Sequence, residues 1–266
     1  MHSDSSIAAN YDRHRQAENH QLGCRLSLIA GNGLANQVAN WAQAGEPGYI
    51  CVANTHQVTL AQRDPGLNEA LHDALAVTTD SQVLAKALNH LGTPYPEPVL
   101  YGPDLMQAVI GAADAAQLSI GLFGSTPETC DAVARRIRKD HPTLKLTFAI
   151  SPPMMSLSAL ANCDEIAEMN RAPADVLLVS LGCPKQEQWM HLTNQSVSGV
   201  KIGLGGAFEF YAGLRARSPA WVHKAGLEWL YRLCSEPRRL MHRYLVNNPL
   251  FVLLWLRALI RGGRRA

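Results

Sequence analysis

Two short apolar runs, each followed by a glycine-containing turn, constrain the fold of this chain most strongly. Residues 176–179 read V-L-L-V and are followed by L-G-C-P-K-Q-E, and residues 200–203 read V-K-I-G and are followed by L-G-G-A-F. Apolar runs of this length between turn signals indicate buried strands of a parallel sheet. Glycine lets backbone N–H groups approach a phosphate, and a helix that begins directly after the turn adds its positive end. The pattern favours a nucleotide or nucleotide-sugar ligand.

The same alternation of strand and helix extends along most of the chain. Further strands are expected at residues 49–53, 76–79, 119–123, 144–150 and 175–180. This order predicts an α/β fold with a Rossmann-like, doubly wound parallel sheet, whose functional turns gather along one edge. The sequence becomes basic and helical near residue 213. The expected organisation is a flexible lead at 1–22, a Rossmann-like domain at 23–212 and a basic, helical appendage at 213–266.

Composition narrows the class of protein. With 266 residues, of which 47% are hydrophobic, the chain can bury a full core in one domain. Its six cysteines are scattered without a C-x-x-C pair, which argues against a disulfide framework or a zinc site and favours a reducing cytoplasm. The polar start of the chain argues against a secretory signal.

Charge is distributed unevenly along the chain. Residues 201–266 carry twelve Lys and Arg against three acidic residues, although the whole chain has a net charge of only +2. Aromatic residues alternate with these basic clusters, a mixture suited to an anionic membrane surface. The longest apolar run there, residues 250–256, is too short to span a bilayer. An ordinary amphipathic helix packed on its own domain is the plainer alternative, and no basic-aromatic module for nucleic acid is present.

Several polar residues at predicted strand ends are candidates for chemistry. Asp80 can serve as a general base toward a sugar hydroxyl or as the N-cap of the following helix. His56 can bind or relay a proton or be structural, and Asp104 can line the site or cap a helix that begins at residue 105. Lys185 can pair with a phosphate or be a solvated lysine. Gln186 has no useful pKa, so it would bind or orient a substrate.

The sequence lacks the usual device for a metal-bridged nucleotide diphosphate, since no D-x-D pair occurs in it. A metal-independent reaction with cationic side chains on the leaving group is therefore expected. A Rossmann-type dehydrogenase would also place glycine turns on a parallel sheet. However, the chain has no G-x-G-x-x-G after its first strand and no acidic residue about 20 positions later.

Six sequence blocks together resemble one known family. They are Y-G-P-D-L at 101–105, G-S-T-P-E at 124–128, G-C-P-K-Q-E at 182–187, G-L-G-G-A-F at 203–208, Y-A-G at 211–213 and G-L-E-W-L-Y-R-L at 226–233. In order and spacing they are similar to the WecG/TagA/CpsF glycosyltransferase family. The resemblance implies an inverting enzyme that moves a sugar from a UDP-sugar to a polyprenyl-diphosphate-linked saccharide. The sugar would be N-acetylmannosamine, its uronic acid or glucose.

The resemblance also implies a setting and a set of site residues. The products would feed cell-surface polysaccharides, and the enzyme would be cytoplasmic, attached peripherally to the inner face of the cell membrane, with no cofactor. The expected catalytic residues are Asp80, as the general base, with Asn54 and Gln186. The expected donor-binding residues are Gly124, Pro184, Lys185, Gln186, Gly205 and Gly206, with Arg232, Arg238, Arg239 and Arg243 over the UDP diphosphate. The expected acceptor side comprises His56, Tyr101 and Asp104.

Three positions depart from the family pattern. Val52 stands where a threonine is common, Ser81 where a glycine is common, and Val99 where an arginine is common. These positions belong to the acceptor and sugar side of the expected site, so the donor nucleotide is the safer inference. The alternative is a non-catalytic, nucleotide-binding, membrane-associated partner of a polysaccharide synthesis complex. The sequence leaves open whether the chain forms a homo-oligomer.

Overall fold

A computed structural model describes residues 18–216, 231, 233 and 237–263. Its strands are β1 Glu18–Asn19, β2 Leu26–Ser27, β3 Gly48–Ala53, β4 Ala76–Thr79, β5 Ile120–Gly124, β6 Leu146–Ile150, β7 Val176–Ser180 and β8 Val200–Gly203. Its helices are α1 Gly31–Gln43, α2 Thr55–Ala61, α3 Pro65–Asp73, α4 Gln82–His90, α5 Gly102–Ala115, α6 Pro127–Asp140, α7 Leu157–Leu160, α8 Asp164–Arg171, α9 Lys185–Leu192, α10 Ala207–Tyr211 and α11 Pro237–Gly263.

Six strands form one parallel sheet in the order β4-β3-β8-β7-β5-β6. The chain builds outward from β3 to β4, crosses to β5 and β6, and then fills the centre with β7 and β8. This arrangement confirms the predicted doubly wound, Rossmann-like sheet. Because all six strands run in the same direction, the turns that follow them lie along the same edge.

Helices cover both faces of the sheet, which explains why the strands are apolar along their whole length. On one face α1, α5, α6 and α10 pack against strand residues such as Ile50 and Ile202. On the other face α2, α3, α4, α7, α8, α9 and α11 pack against strand residues such as Cys51 and Leu177. The five cysteines in the described part of the chain form no disulfide.

The first described residues differ from the sequence expectation. Residues 18–22, which belong to the expected flexible lead, are ordered: Glu18 and Asn19 pair with β2, and the side chain of Leu22 is buried. The remainder of that lead lies outside the described residues. Helix α1 was not predicted, although the spacing of its buried Leu34, Val38 and Trp41 fits one face of a helix.

Helix α11, in the C-terminal region, packs against the domain through one of its faces. Phe251 and Ala258 are buried against the core, and the ring of Trp255 stacks on that of His90 with centroids 5.3 Å apart. This packing agrees with the plainer alternative of an amphipathic helix on its own domain. In the ranges that the structure covers, none of the helices combines the length and the apolar character needed to cross a membrane.

A second face of α11 is apolar but remains exposed. Most of its exposed large hydrophobic residues are separated by three, four or seven positions, the spacing that places residues on one side of a helix. They are Met241, Leu245, Val252, Leu253, Leu256 and Ile260, of which Leu245 is the most exposed at 70%. Arg257 and Arg261, on the same helix, are also exposed. We refer to these six apolar residues as the exposed stripe.

Candidate functional site

The carboxyl edge of the sheet gathers the candidate residues that the sequence placed far apart. Asn54 follows β3, Asp80 follows β4, Gly124 ends β5, Gln186 follows β7 and Gly205 follows β8. Since neighbouring parallel strands end at the same edge, these five positions lie along one margin of the sheet. This edge is the candidate functional site.

The carboxylate of Asp80 lies between the start of α5 and the loop after β8. A Cβ atom built on Gly102 would lie 3.7 Å from Oδ2 of Asp80, 3.3 Å from Cβ of Ala207 and 4.0 Å from the carbonyl oxygen of Leu204. Gly102 therefore lets these three segments approach one another. The positive end of the 14-residue helix α5 favours a negative charge at this place.

Asp80 does not perform the capping role that was its alternative. The side chain of Ser81 caps α4, because its hydroxyl accepts a hydrogen bond from the backbone N–H of Leu84. Asp80 is half-buried and stands one residue ahead of the cap. The residue that starts α4 is therefore Ser81 and not Asp80.

Helix α5 begins earlier than the sequence analysis expected. Its first residue is Gly102, because Pro103 is well suited to the first turn of a helix. Asp104 therefore lies within the first turn, and the prediction that it caps a helix starting at residue 105 is wrong. The carbonyl of Tyr101 accepts hydrogen bonds from the N–H groups of Asp104 and Leu105 at 2.9 Å. Tyr101 and Asp104 are within two residues of Gly102, the point at which α5 approaches Asp80.

Asn54 starts α2 through a capping box. Its Oδ1 accepts from the N–H groups of His56 and Gln57, and Oε1 of Gln57 accepts from the N–H of Asn54 at 3.0 Å. His56 is half-buried in this first turn. The sequence analysis did not single out Gln57, although the spacing N-x-x-Q before an apolar run is a signature of this motif.

Gln186 connects α9 to the turn after β8. Its Oε1 accepts from the N–H of Gly205 at 3.0 Å, and its Nε2 donates to Glu187 at 3.1 Å. A Cβ atom on Gly203 would lie only 2.4 Å from this Nε2, so glycine is required there to make room for the amide. Gln186 is buried, and these two hydrogen bonds engage both ends of its side-chain amide.

Glu187 is a buried acid that the sequence analysis did not single out. Its Oε1 accepts from Nε2 of Gln57 at 2.8 Å and from Nε2 of Gln186 at 3.1 Å. Its side chain has no exposed surface, and its Oε2 meets no hydrogen-bond partner among the described residues. Burial raises the pKa of Glu187 to about 7, although hydrogen bonds from its own backbone, Gln186, Cys183 and Gln57 oppose the rise.

The turns before α9 and after β8 contain four of the predicted donor-side residues. Pro184 occupies the N-cap position of α9. The ammonium of Lys185 donates to the carbonyl of Met155, so a phosphate would share this lysine with a protein partner. Gly205 has a φ of +50° and is half-buried, whereas Gly206 is exposed at the edge. The turn after β8 thus faces outward at Gly206.

Gly124 has a structural reason to be glycine. Its φ is +107°, and a Cβ atom there would lie 2.2 Å from the carbonyl oxygen of Ser180 on the neighbouring strand β7. The same carbonyl accepts from the N–H of Ser125 at 2.6 Å. The hydroxyl of Ser180 donates in turn to the carbonyl of Gly205. The ends of β5, β7 and β8 are therefore tied together.

The predicted donor site also includes four arginines of the C-terminal region. Arg232 lies outside the described residues, and so do the side chains of Arg238, Arg239 and Arg243, whose backbone belongs to α11. Their assignment to the UDP diphosphate remains a prediction.

The three departures from the family pattern have structural places. Val52 on β3 packs in the core beneath α1 and α5, and Val99 is buried on the opposite face of the sheet. Ser81 caps α4. Each of the three side chains is thus accommodated by the fold, independently of any effect on a substrate.

A group of side chains able to hold a metal ion lies away from this edge. In the described ranges the group consists of Glu69, Asp73 and His191. Glu69 and Asp73 are on α3, whose end leads into the start of β4, and His191 is near the end of α9, which leads toward β8. Both helix ends lie toward the amino edge of the sheet. The candidate site and these ligand atoms are therefore on opposite sides.

Comparison with known proteins identifies one family and several of its members. A model of the "Glycosyl transferase WecG/TagA/CpsF family" matches residues 20–265. An N-acetylglucosaminyldiphosphoundecaprenol N-acetyl-beta-D-mannosaminyltransferase of Bacillus subtilis (strain 168) is 30% identical over 139 residues, which cover 52% of each chain. Proteins of the same name from Staphylococcus aureus, strains MW2 and NCTC 8325 / PS 47, are each 28% identical over 223 residues, or 82% of this chain and 81% of theirs.

The family match covers most of the chain, including all six strands of the sheet and the whole candidate edge. The sequence blocks of the first subsection predicted this family. The doubly wound sheet and the extent of the match lead to the same assignment. This chain belongs to the WecG/TagA/CpsF family of glycosyltransferases.

Proposed function

We propose that this chain is an inverting glycosyltransferase of surface polysaccharide biosynthesis. It transfers an N-acetylmannosamine-type sugar, or else its uronic acid or glucose, from a UDP-sugar to a polyprenyl-diphosphate-linked saccharide. The observation that carries the proposal is the position of Asp80, whose carboxylate faces the glycine turn after β8 across Gly102. The relatives' names specify an N-acetylmannosaminyl group and an N-acetylglucosaminyldiphosphoundecaprenol acceptor, which supports that pair first.

The proposed reaction is a single displacement. The Asp80 carboxylate takes the proton from an acceptor hydroxyl as the oxygen of that hydroxyl attacks the anomeric carbon of the donor sugar. The bond from this carbon to the β-phosphate oxygen breaks, and UDP leaves on the opposite face. One base and one displacement suffice for inversion, so no second carboxylate is needed.

Charge on the departing UDP requires compensation. We assign this task to the backbone N–H groups of the glycine turns and to Arg232, Arg238, Arg239 and Arg243. Arginine is always charged and offers a planar fork to phosphate oxygens. We propose that these groups, rather than a metal ion, stabilise the charge on the leaving diphosphate.

Transfer from a panel of UDP-sugars to polyprenyl-diphosphate-linked N-acetylglucosamine tests the proposed function. Product mass identifies the sugar, and NMR of the new linkage identifies its configuration. We expect one N-acetylmannosamine-type sugar to be added, with inversion and without loss of rate in EDTA. If no donor gives a product although UDP binding is measurable, the result would instead support the non-catalytic partner. A strict requirement for Mg²⁺ or Mn²⁺ would contradict the role given to the arginines.

We also propose that α11 places the enzyme on the anionic inner face of the cell membrane. One face of this helix is already used by the packing of Phe251 and Ala258, whereas the exposed stripe remains free of the described core. Exposed apolar residues on one side of a helix that also carries Arg257 and Arg261 suit the boundary between lipid head groups and acyl chains. A polyprenyl-linked acceptor resides at that boundary.

Charge placed in the exposed stripe should release the protein from membranes. We expect the double substitution Leu253→Glu and Ile260→Glu to remove most of its cosedimentation with vesicles that contain phosphatidylglycerol. Both side chains are exposed, so the thermal unfolding midpoint should change little. Leu192→Glu is the matched control, because Leu192 is exposed on α9, outside the stripe. Equal sedimentation of the double variant and the wild type would show that the stripe does not bind lipid.

A further inference from the structure

A continuous chain of hydrogen bonds joins two turns of the candidate site beneath its surface. It begins at the N–H of Asn54, which donates to Oε1 of Gln57, and Nε2 of Gln57 donates to Oε1 of Glu187. From the other side, the N–H of Gly205 donates to Oε1 of Gln186, and Nε2 of Gln186 donates to the same oxygen of Glu187. The side chains of Gln57, Gln186 and Glu187 are all buried.

The two halves of this network have the same polarity. In each half an amide oxygen accepts from a backbone N–H, and the amide nitrogen donates to the carboxylate. Oε1 of Glu187 accepts from both amides, and it can do so whether or not Oε2 carries a proton. This oxygen requires both amides to present their nitrogen to it and their oxygen to the turn. If either amide rotated by half a turn, its NH₂ group would face a backbone N–H group. Glu187 therefore determines the orientation of Gln57 and Gln186.

The turns held in this way belong to neighbouring strands. Asn54 follows β3 and Gly205 follows β8, which is paired with β3. The loop that contains Gly205 also approaches Asp80, since a Cβ atom on Gly102 would contact both Ala207 and the Asp80 carboxylate. A shift of the Gly205 turn would therefore move one wall of the site relative to the proposed base.

We infer that Glu187 is a positioning residue, whose buried carboxylate orients Gln57 and Gln186 and through them fixes the turns at Asn54 and Gly205 on either side of the candidate site. This inference rests on the proposed function for its catalytic consequence but not for the positioning itself. Glu187 touches neither donor nor acceptor in this assignment.

Two substitutions separate positioning from packing. Glu187→Leu has a similar volume and suits a buried pocket, but it removes the acceptor of both amides. Glu187→Gln keeps one oxygen that can accept hydrogen bonds from the side-chain amides of both Gln57 and Gln186. Glu168→Gln is the control. Glu168 is exposed on α8, so this substitution makes the same chemical change at the surface, away from the network.

The first readout is amide hydrogen exchange, which needs no activity. We expect exchange at the segments around Asn54 and Gly205 to become at least about tenfold faster in Glu187→Leu and to stay near wild type in Glu187→Gln and Glu168→Gln. If Glu187 served packing alone, the leucine variant would exchange like the wild type, and the inference would be wrong. If the leucine variant does not fold, Gln57→Met removes one half of the network, and faster exchange around Asn54 alone is then expected.

The second readout is transfer of sugar. We expect Glu187→Leu to lower kcat about tenfold or more with a smaller change in KM, because misplacement of a site wall affects the transition state most. Glu187→Gln should restore kcat to within about threefold of wild type, and should flatten any change of kcat near pH 7. Faster exchange with unchanged kcat would overturn the catalytic consequence. If the wild type transfers no sugar, the proposed function fails, and hydrogen exchange still decides whether Glu187 positions the turns.

Discussion

Replacement of Asp80 by asparagine is expected to lower kcat by about 10² to 10⁴, the usual contribution of a positioned general base. Asparagine has nearly the same shape, so the contacts with Gly102 and the loop after β8 should survive, but its amide cannot accept the acceptor's proton. UDP affinity should change by less than about threefold, because the nucleotide is assigned to the turns after β5, β7 and β8. Turnover with the preferred UDP-sugar and UDP titration calorimetry measure the two quantities.

The capping alternative provides the control for this experiment. Ser81→Ala removes the side-chain cap of α4 and should cost about 1 kcal/mol of stability, while kcat at a temperature well below unfolding should fall far less than in Asp80→Asn. A base and a cap thus predict opposite patterns at adjacent positions. If Asp80→Asn loses stability like a cap variant and retains its turnover, another group must deprotonate the acceptor.

The sheet was predictable because its signals are local and repeated. Strands β3, β4, β5, β7 and β8 were expected within one or two residues, since each is an apolar run followed by a turn. Helix α5 was placed three residues late, because the acidic Asp104 was taken as a cap where Pro103 already begins the helix. The order of the strands in the sheet depends on contacts between distant segments, which periodicity does not contain.

The candidate site was predictable in its location but not in its internal connections. Asn54, Asp80 and Gly205 were identified as strand-end residues, and the parallel sheet brings them to one edge. The role of Glu187 was not foreseen, because an acid in the first turn of a helix usually faces solvent. Its burial follows only from the way α2 and α9 pack on the same face, where two glutamines supply the hydrogen bonds that a buried carboxylate needs.

Gly124 tests whether the glycine turns serve the ligand or the fold. Alanine at this position would combine a φ of +107° with a Cβ atom 2.2 Å from the carbonyl oxygen of Ser180. Backbone strain of about 1–2 kcal/mol and overpacking of about 1–3 kcal/mol should together lower the free energy of unfolding by about 3 kcal/mol or more. Chemical denaturation without any nucleotide is the measurement, because a glycine kept only for phosphate contact would show no loss under that condition.

Gly111→Ala is the matched control for Gly124→Ala. Gly111 lies inside α5, and a Cβ atom there would meet no heavy atom within 4 Å. Alanine should therefore stabilise the protein by about 0.5–1 kcal/mol, as in other helix interiors. A comparable stability of Gly124→Ala and wild type would mean that the ends of β5 and β7 can separate at little cost. In that case Gly124 would be conformationally dispensable, and the phosphate role first inferred from the sequence would become the better explanation for it.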